Sequence, residues 1–207
     1  MPQLYIKICG LSTPESVAAA VEAGADAVGF VFAPGSPRTV GAELARTLGG
    51  AVPGSIETVG VFRNQPLAEV MDIAKRAAVS TVQLHGDEPL DDIRALQAAG
   101  FKTLRAFSVD AFEALPEDER LQWDAERILI DAVEPGAGVT FDATNVLAEP
   151  PAGMWLLAGG LNPGNVAGLV KTLKPSGVDV SSGVESSRGI KDNGLIADFI
   201  RAARSAE

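Results

Sequence analysis

The chain has 207 residues, 46% of them hydrophobic but only 5% aromatic, and a formal net charge of −10. That size suits one α/β domain packed from small aliphatic side chains, and an acidic chain without a lysine or arginine block argues against a nucleic-acid partner. One cysteine and one histidine exclude an intrachain disulfide, cannot make a soft metal-ligand set, and fit a reducing cytoplasm.

The first apolar run, Leu4-Tyr5-Ile6-Lys7-Ile8-Cys9, is stopped by Gly10 and predicts a buried strand. Alternation puts Leu4, Ile6 and Ile8 on one face and Tyr5, Lys7 and Cys9 on the other. A lysine and the only cysteine thus share a face, one pleat apart, at a carboxyl end where parallel α/β proteins place their chemistry. A neighbouring lysine is expected to lower the thiol pKa from its free value of about 8.5. The alternative is an inert small hydrophobe, the usual fate of a lone buried cysteine.

Ser12 or Thr13 then caps a helix that Pro14 starts and Gly24 ends. Residues 27–32 form a second strand, and the Pro- and Gly-rich loop 33–40 carries a single charge, Arg38. That guanidinium is either a solvated surface group or a fork for a carboxylate or phosphate. Residues 57–62 are a third strand, and 66–78 a helix with Leu67, Val70, Ile73 and Ala74 near helical spacing. The fourth strand, 81–86, carries Gln83 and His85 on one face. His85 is an acid–base candidate or, with no partner carboxylate evident nearby in the sequence, a hydrogen-bonded structural histidine.

A helix over 89–99 ends at Gly100, and the fifth strand covers 102–107. Residues 108–126 are acidic and weakly periodic, which predicts a short or irregular helix. The sixth strand, 127–131, places Asp131 at its carboxyl end. The seventh, 154–158, runs into the glycine-rich stretch 159–166, and the eighth, 178–180, into 181–192. A last helix from about Asn193 carries Leu195, Ile196, Phe199 and Ile200 on one face, with Arg201 and Arg204 placed late to complement its dipole.

Eight strand–helix steps with short connections predict an α/β fold, a single (β/α)8 TIM barrel over residues 1–207. No run of about 18 apolar residues is present, so no membrane partner is expected, and no basic segment followed by an apolar one marks a leader. Loops after strands seven and eight are where such barrels hold phosphate. Gly159, Gly160 and Gly183 let the backbone approach an anion, and N–H groups meet its charge without surface cations. The same glycines also suit plain tight turns. Cys9 and Asp131 offer one potential base and one potential acid on different sides of a phosphate-anchored ligand. Without a cofactor motif, that pair points to isomerisation rather than redox chemistry or hydrolysis.

Four motifs, Lys7-Ile8-Cys9-Gly10, Gln83-Leu84-His85-Gly86, Leu157-Ala158-Gly159-Gly160-Leu161-Asn162-Pro163 and Gly177-Val178-Asp179-Val180-Ser181-Ser182-Gly183-Val184-Glu185, stand in an order that resembles the phosphoribosylanthranilate isomerase family of tryptophan biosynthesis. The likeness covers essentially the whole chain. It implies a cofactor-free Amadori rearrangement of N-(5-phosphoribosyl)anthranilate to the open-chain carboxyphenylamino-deoxyribulose phosphate. By this resemblance Asp131 is the general acid on the furanose ring oxygen, Cys9 the base at ribose C2, and Arg38 the holder of the anthranilate carboxylate. Lys7, Gln83, His85 and Asp179 are expected to line the substrate site, and Gly159, Gly160, Ser182 and Gly183 to bind the phosphate.

One departure stands out. The family's Gly-Gly-Thr-Gly run followed by Phe-Asp-Trp is altered here, with Ala137 for a glycine and Ala143 for the aromatic residue, while Phe141 and Asp142 remain. The expected partner is a phosphorylated small molecule, with a monomer and a homodimer both open. Two rival readings are a phosphate-binding barrel epimerase or aldolase, with Lys7 as its Schiff-base lysine, and a barrel that binds the ligand without turning it over.

Overall fold

The computed structural model describes residues 3–132 and 150–206. Eight parallel strands close in chain order into a barrel: β1 (Tyr5–Cys9), β2 (Ala27–Val31), β3 (Glu57–Phe62), β4 (Thr81–Leu84), β5 (Lys102–Ser108), β6 (Ile128–Asp131), β7 (Trp155–Ala158) and β8 (Gly177–Val180). The ring is sealed where β8 pairs with β1, with Lys7 opposite Asp179. The predicted fold class is therefore the observed one.

Helices α1 (Pro14–Glu22), α2 (Ala42–Gly49), α3 (Leu67–Ala77), α4 (Leu90–Ala98), α5 (Val109–Glu113), α6 (Glu117–Trp123), α7 (Val166–Leu173) and α8 (Asn193–Arg204) connect the strands. Thr13 caps α1 by accepting from the Ser16 N–H while Ser16 accepts from the Thr13 N–H, a reciprocal box that satisfies two orphan donors. Between β5 and β6 the expected irregular helix is two short ones. Helix α2, by contrast, has no counterpart in the sequence reading. Its buried stripe of Ala42, Ala45 and Leu48 is too small to announce itself. Residues Ala137, Phe141, Asp142 and Ala143, where the sequence departs from the family pattern, lie outside the described residues.

Alternation along the strands sorts side chains into two cores. Ile6, Ile8, Val28, Phe30, Phe62 and Leu84 point outward and meet Val17, Val70, Leu96 and Phe199 of the helices. Inside the lumen, Leu104, Ala106, Leu129, Leu156 and Ala158 fill one wall. Cys9, Val31, Ala33 and Val61 pack together on another.

The amino-terminal end of the lumen is closed by polar groups. Glu57 accepts from Tyr5 Oη (3.0 Å), Thr81 Oγ1 (3.0 Å), Lys102 Nζ (2.9 Å) and Arg127 Nη1 (3.1 Å). Burial alone would raise the Glu57 pKa, but Lys102 and Arg127 hold it below the ordinary value. With that floor sealed, a ligand must enter at the carboxyl ends of the strands.

Candidate active site

Lys7 is wholly buried, and its ammonium donates to Asp179 Oδ1 at 2.8 Å. The two residues occupy the same rung of neighbouring strands, and both face the lumen because they share parity with Tyr5 and Gly177. Burial would lower the Lys7 pKa, yet Asp179 and Cys9 outweigh it and the ammonium is held charged. Lys7 is therefore inside the wall of the site rather than on its surface.

Cys9 stands one pleat nearer the mouth and is 6% exposed. Gly29 makes room for both side chains: a Cβ there would lie 3.1 Å from Cys9 Sγ and 3.3 Å from Lys7 Cε. Lys7 lowers the Cys9 pKa as expected, but the expected net lowering is corrected. Burial pushes the thiol up, Lys7 opposes it, and Asp179 adds its own negative charge, so the net shift is upward. The sequence revealed the lysine and a buried strand but not the competing Asp179 carboxylate.

Across the mouth, Gln83, His85 and Asp131 come together. Gln83 Nε2 lies 3.2 Å from His85 Nδ1, and His85 Nε2 lies 3.5 Å from Asp131 Oδ2. The amide nitrogen is a donor, so this contact uses Nδ1 as acceptor and leaves Nε2 facing Asp131. Asp131 thus supplies the partner that no neighbour in sequence provided for His85. Gln83 Oε1 is buried with no hydrogen-bond partner among the described residues.

The loops around His85 are fixed by Glu88, whose carboxylate accepts from the Asn64 N–H at 2.6 Å and the Gly86 N–H at 2.7 Å. Arg105 donates to the Glu88 carbonyl at 3.2 Å from behind the sheet. Gly86 suits that spot, since a Cβ would fall 1.9 Å from Asn64 Oδ1 and 2.8 Å from the Asn64 backbone nitrogen.

The loops after β7 and β8 abut. Gly159 and Gly160 have φ of 86° and 64°, a left-handed backbone that glycine adopts without strain. Asn165 Nδ2 donates to the Gly160 carbonyl at 3.0 Å and sets that peptide plane. A single 3₁₀ turn, Ser182–Val184, follows β8, and its opening N–H groups have no partner within the turn. A Cβ on Gly183 would lie 1.7 Å from the Leu161 carbonyl oxygen, so this glycine is what lets the two loops touch.

Beyond the turn, β9 (Glu185–Ser187) and β10 (Ile190–Lys191) form a hairpin where the sequence suggested only a loop. Glu185 accepts from Arg38 Nε (2.6 Å) and Nη2 (2.9 Å), the Gly189 N–H (2.9 Å) and Lys191 Nζ (2.9 Å). Burial alone would raise its pKa, but these four donors draw it down to about 2. Lys191 also donates to the Ser181 carbonyl at 2.7 Å. Arg38 is thus neither a free surface charge nor an empty fork, because one edge of it is already held.

A family model described as N-(5'phosphoribosyl)anthranilate (PRA) isomerase matches residues 6–202. The chain belongs to this family. It is 43% identical over 203 residues to N-(5'-phosphoribosyl)anthranilate isomerase of Geobacter sulfurreducens, covering 96% of this chain and 98% of that one. The crystal structure of phosphoribosyl anthranilate isomerase from Thermotoga maritima superposes with a TM-score of 0.88 at 37% identity, over 98% of this chain and all of that one. A third relative, a phosphoribosyl anthranilate isomerase in complex with reduced 1-(o-carboxyphenylamino)-1-deoxyribulose 5-phosphate, gives a TM-score of 0.81 at 34% identity, again over 98% and 100% of the two chains.

Membership in the family was legible in the four motifs, but several working residues of the mouth were not. Gly29 had a signal, a glycine inside an apolar strand. Glu185 had none, because its partner Arg38 is 147 positions away, and Lys191 went unread although its partners Ser181 and Glu185 lie close in sequence.

Proposed function

We propose that this chain isomerises N-(5'-phosphoribosyl)anthranilate to 1-(2-carboxyphenylamino)-1-deoxyribulose 5-phosphate as a step of tryptophan biosynthesis, with no cofactor. The observation that carries the reading is the position of Cys9 and Asp131 at the carboxyl ends of β1 and β6, facing one mouth from opposite walls. The ligand held by the related enzyme supports the choice of substrate, being a reduced form of that product.

Asp131 protonates the furanose ring oxygen as the C1–O bond breaks, and the anilino nitrogen lone pair forms the C=N bond of a Schiff base. Cys9, as thiolate, removes the C2 proton; the C–H electrons form the C1=C2 bond while the C=N π pair returns to nitrogen and neutralises it. The resulting enolamine tautomerises to the aminoketone. His85, against Asp131, and Gln83 behind it orient the acid. Arg38 receives the anthranilate carboxylate through the edge that Glu185 leaves, and Gly159, Gly160, Ser182 and Gly183 hold the phosphate with backbone N–H groups.

The aldolase alternative needs Lys7 as a neutral amine, and the Asp179 bridge opposes that by outweighing the effect of burial. The test is turnover of the aminated phosphoribosyl substrate, generated in situ and followed by loss of its anthranilyl fluorescence. Absence of turnover by a folded wild-type chain would refute the reading.

A further inference from the structure

Lys7 and Asp179 were expected to line the substrate site, and both stand beside Cys9. The Lys7 side chain has no exposure and that of Asp179 only 9%. Their 2.8 Å bridge lies one rung below Cys9 on the lumen face of β1 and β8. Cys9 Sγ and Lys7 Cε border the same small space opposite Gly29, within 3.1 and 3.3 Å of where a Cβ would stand. That space belongs to the ammonium's end of the lysine.

An internal ion pair is costly to bury and is often matched or bettered by apolar residues. Its retention beside a thiol calls for a role that charge alone can fill. We propose that Lys7 and Asp179 are a paired set of positioning residues for Cys9, in which Lys7 presents a cation to the thiol and Asp179 draws that cation away, so the pair sets how readily Cys9 yields its proton. This rests on Cys9 being the base named above.

Among the described residues, two other charges act on Cys9 or respond to it. Lys191 on β10 also favours the thiolate, and Arg38 in the loop after β2 also senses Cys9. Among the described residues, Val31, Ala33 and Val61 pack with Cys9, and Gly29 faces it. Lys7 acts on the thiol more strongly than Asp179 does, and with the opposite sign.

The chain has a single cysteine, so thiolate ultraviolet absorbance against pH reports Cys9 alone, independently of catalysis. Asp179→Asn should shift the titration to lower pH and Lys7→Met to higher pH. The doubly neutral Lys7→Met/Asp179→Asn chain, which leaves no unpaired buried charge, should titrate between wild type and Lys7→Met. Moving the midpoint by about one pH unit changes the thiolate fraction at a fixed lower pH about tenfold.

Equal directions for the two single variants, or no shift in either, would overturn the proposal. If the single variants do not fold, a double variant titrating at or below wild type does the same. The Cys9 limb of the kcat/KM pH profile should move with the absorbance. A limb that stayed put while the thiol titration moved would remove Cys9 as the base yet leave the pairing intact; a limb that moved without the thiol would refute the pairing.

Discussion

Arg38 and Glu185 form a two-point ion pair, Nε to Oε1 at 2.6 Å and Nη2 to Oε2 at 2.9 Å, joining the loop after β2 to the hairpin after β8. A guanidinium has five donors in one plane. Holding one edge fixes the plane and leaves the Nη1 side for another carboxylate. Lys191 ties the same Glu185 to the Ser181 carbonyl, next to the proposed phosphate loop. One carboxylate therefore braces both ends of the proposed substrate site.

Glu185→Gln keeps the shape and removes the charge. With a charge-assisted bond worth about 1.5–3 kcal/mol, KM should rise roughly tenfold or more while kcat changes less, because Arg38 loses its fixed orientation but the proton-moving groups are untouched. Steady-state kinetics decides this. A KM within twofold of wild type would mean Arg38 needs no brace, or binds no carboxylate.

The same residue makes an acid-stability prediction. The ordinary Glu185 value of 4.5 is depressed to about 2 in the folded chain. Above pH 4.5 the group is ionised folded or unfolded, and its full contribution is present. As pH falls from there towards 2, the unfolded chain takes up the proton first and that contribution is lost. Its ceiling is about 3 kcal/mol. Urea unfolding at a series of pH values should show wild type losing more stability over this window than Glu185→Gln; parallel curves would contradict the depressed value.

His85 faces Asp131 at 3.5 Å, which suits a group that orients the acid rather than one that replaces it. His85→Gln should lower kcat/KM about tenfold, well short of the 10²–10⁴-fold typical of losing an acid or base. A loss equal to that of Cys9→Ser, with the Cys9 variant still active, would transfer the base to His85.

Glycine positions separate packing from ligand contact. Gly183→Ala puts a methyl group 1.7 Å from the Leu161 carbonyl oxygen, so the loops after β7 and β8 must part. It should lower the melting temperature as well as weaken competition by inorganic phosphate. Gly29→Ala meets Cys9 and Lys7 at distances that require shifts of only a few tenths of an ångström. It should cost about 1–3 kcal/mol and slow turnover without changing phosphate inhibition. The reverse pattern, with Gly29→Ala alone affecting phosphate, would misplace the phosphate loops.

The barrel was legible because each strand is a short apolar run punctuated by glycine, proline or a cap, and those signals are local. Helix α2 escaped because alanine supplies most of its buried face. The site was legible only along single strands: Lys7 with Cys9, Gln83 with His85. Contacts made by closure of the ring were not, since Lys7 meets Asp179 across 172 positions and Arg38 meets Glu185 across 147. The Cys9 expectation failed for that reason. Its lysine and a buried strand were visible in the sequence, whereas the Asp179 carboxylate comes beside it only after β8 joins β1.

The most direct measurement is the in-situ fluorescence assay of wild type, Cys9→Ala and Asp131→Asn, each shown to be folded by circular dichroism and to be protected by inorganic phosphate against thermal unfolding. Wild type should turn over the phosphoribosylanthranilate, and each variant should fall at least about 10²-fold in kcat while retaining phosphate protection. Turnover within a few-fold of wild type in either folded variant would contradict the assignment of Cys9 and Asp131 as the base and acid.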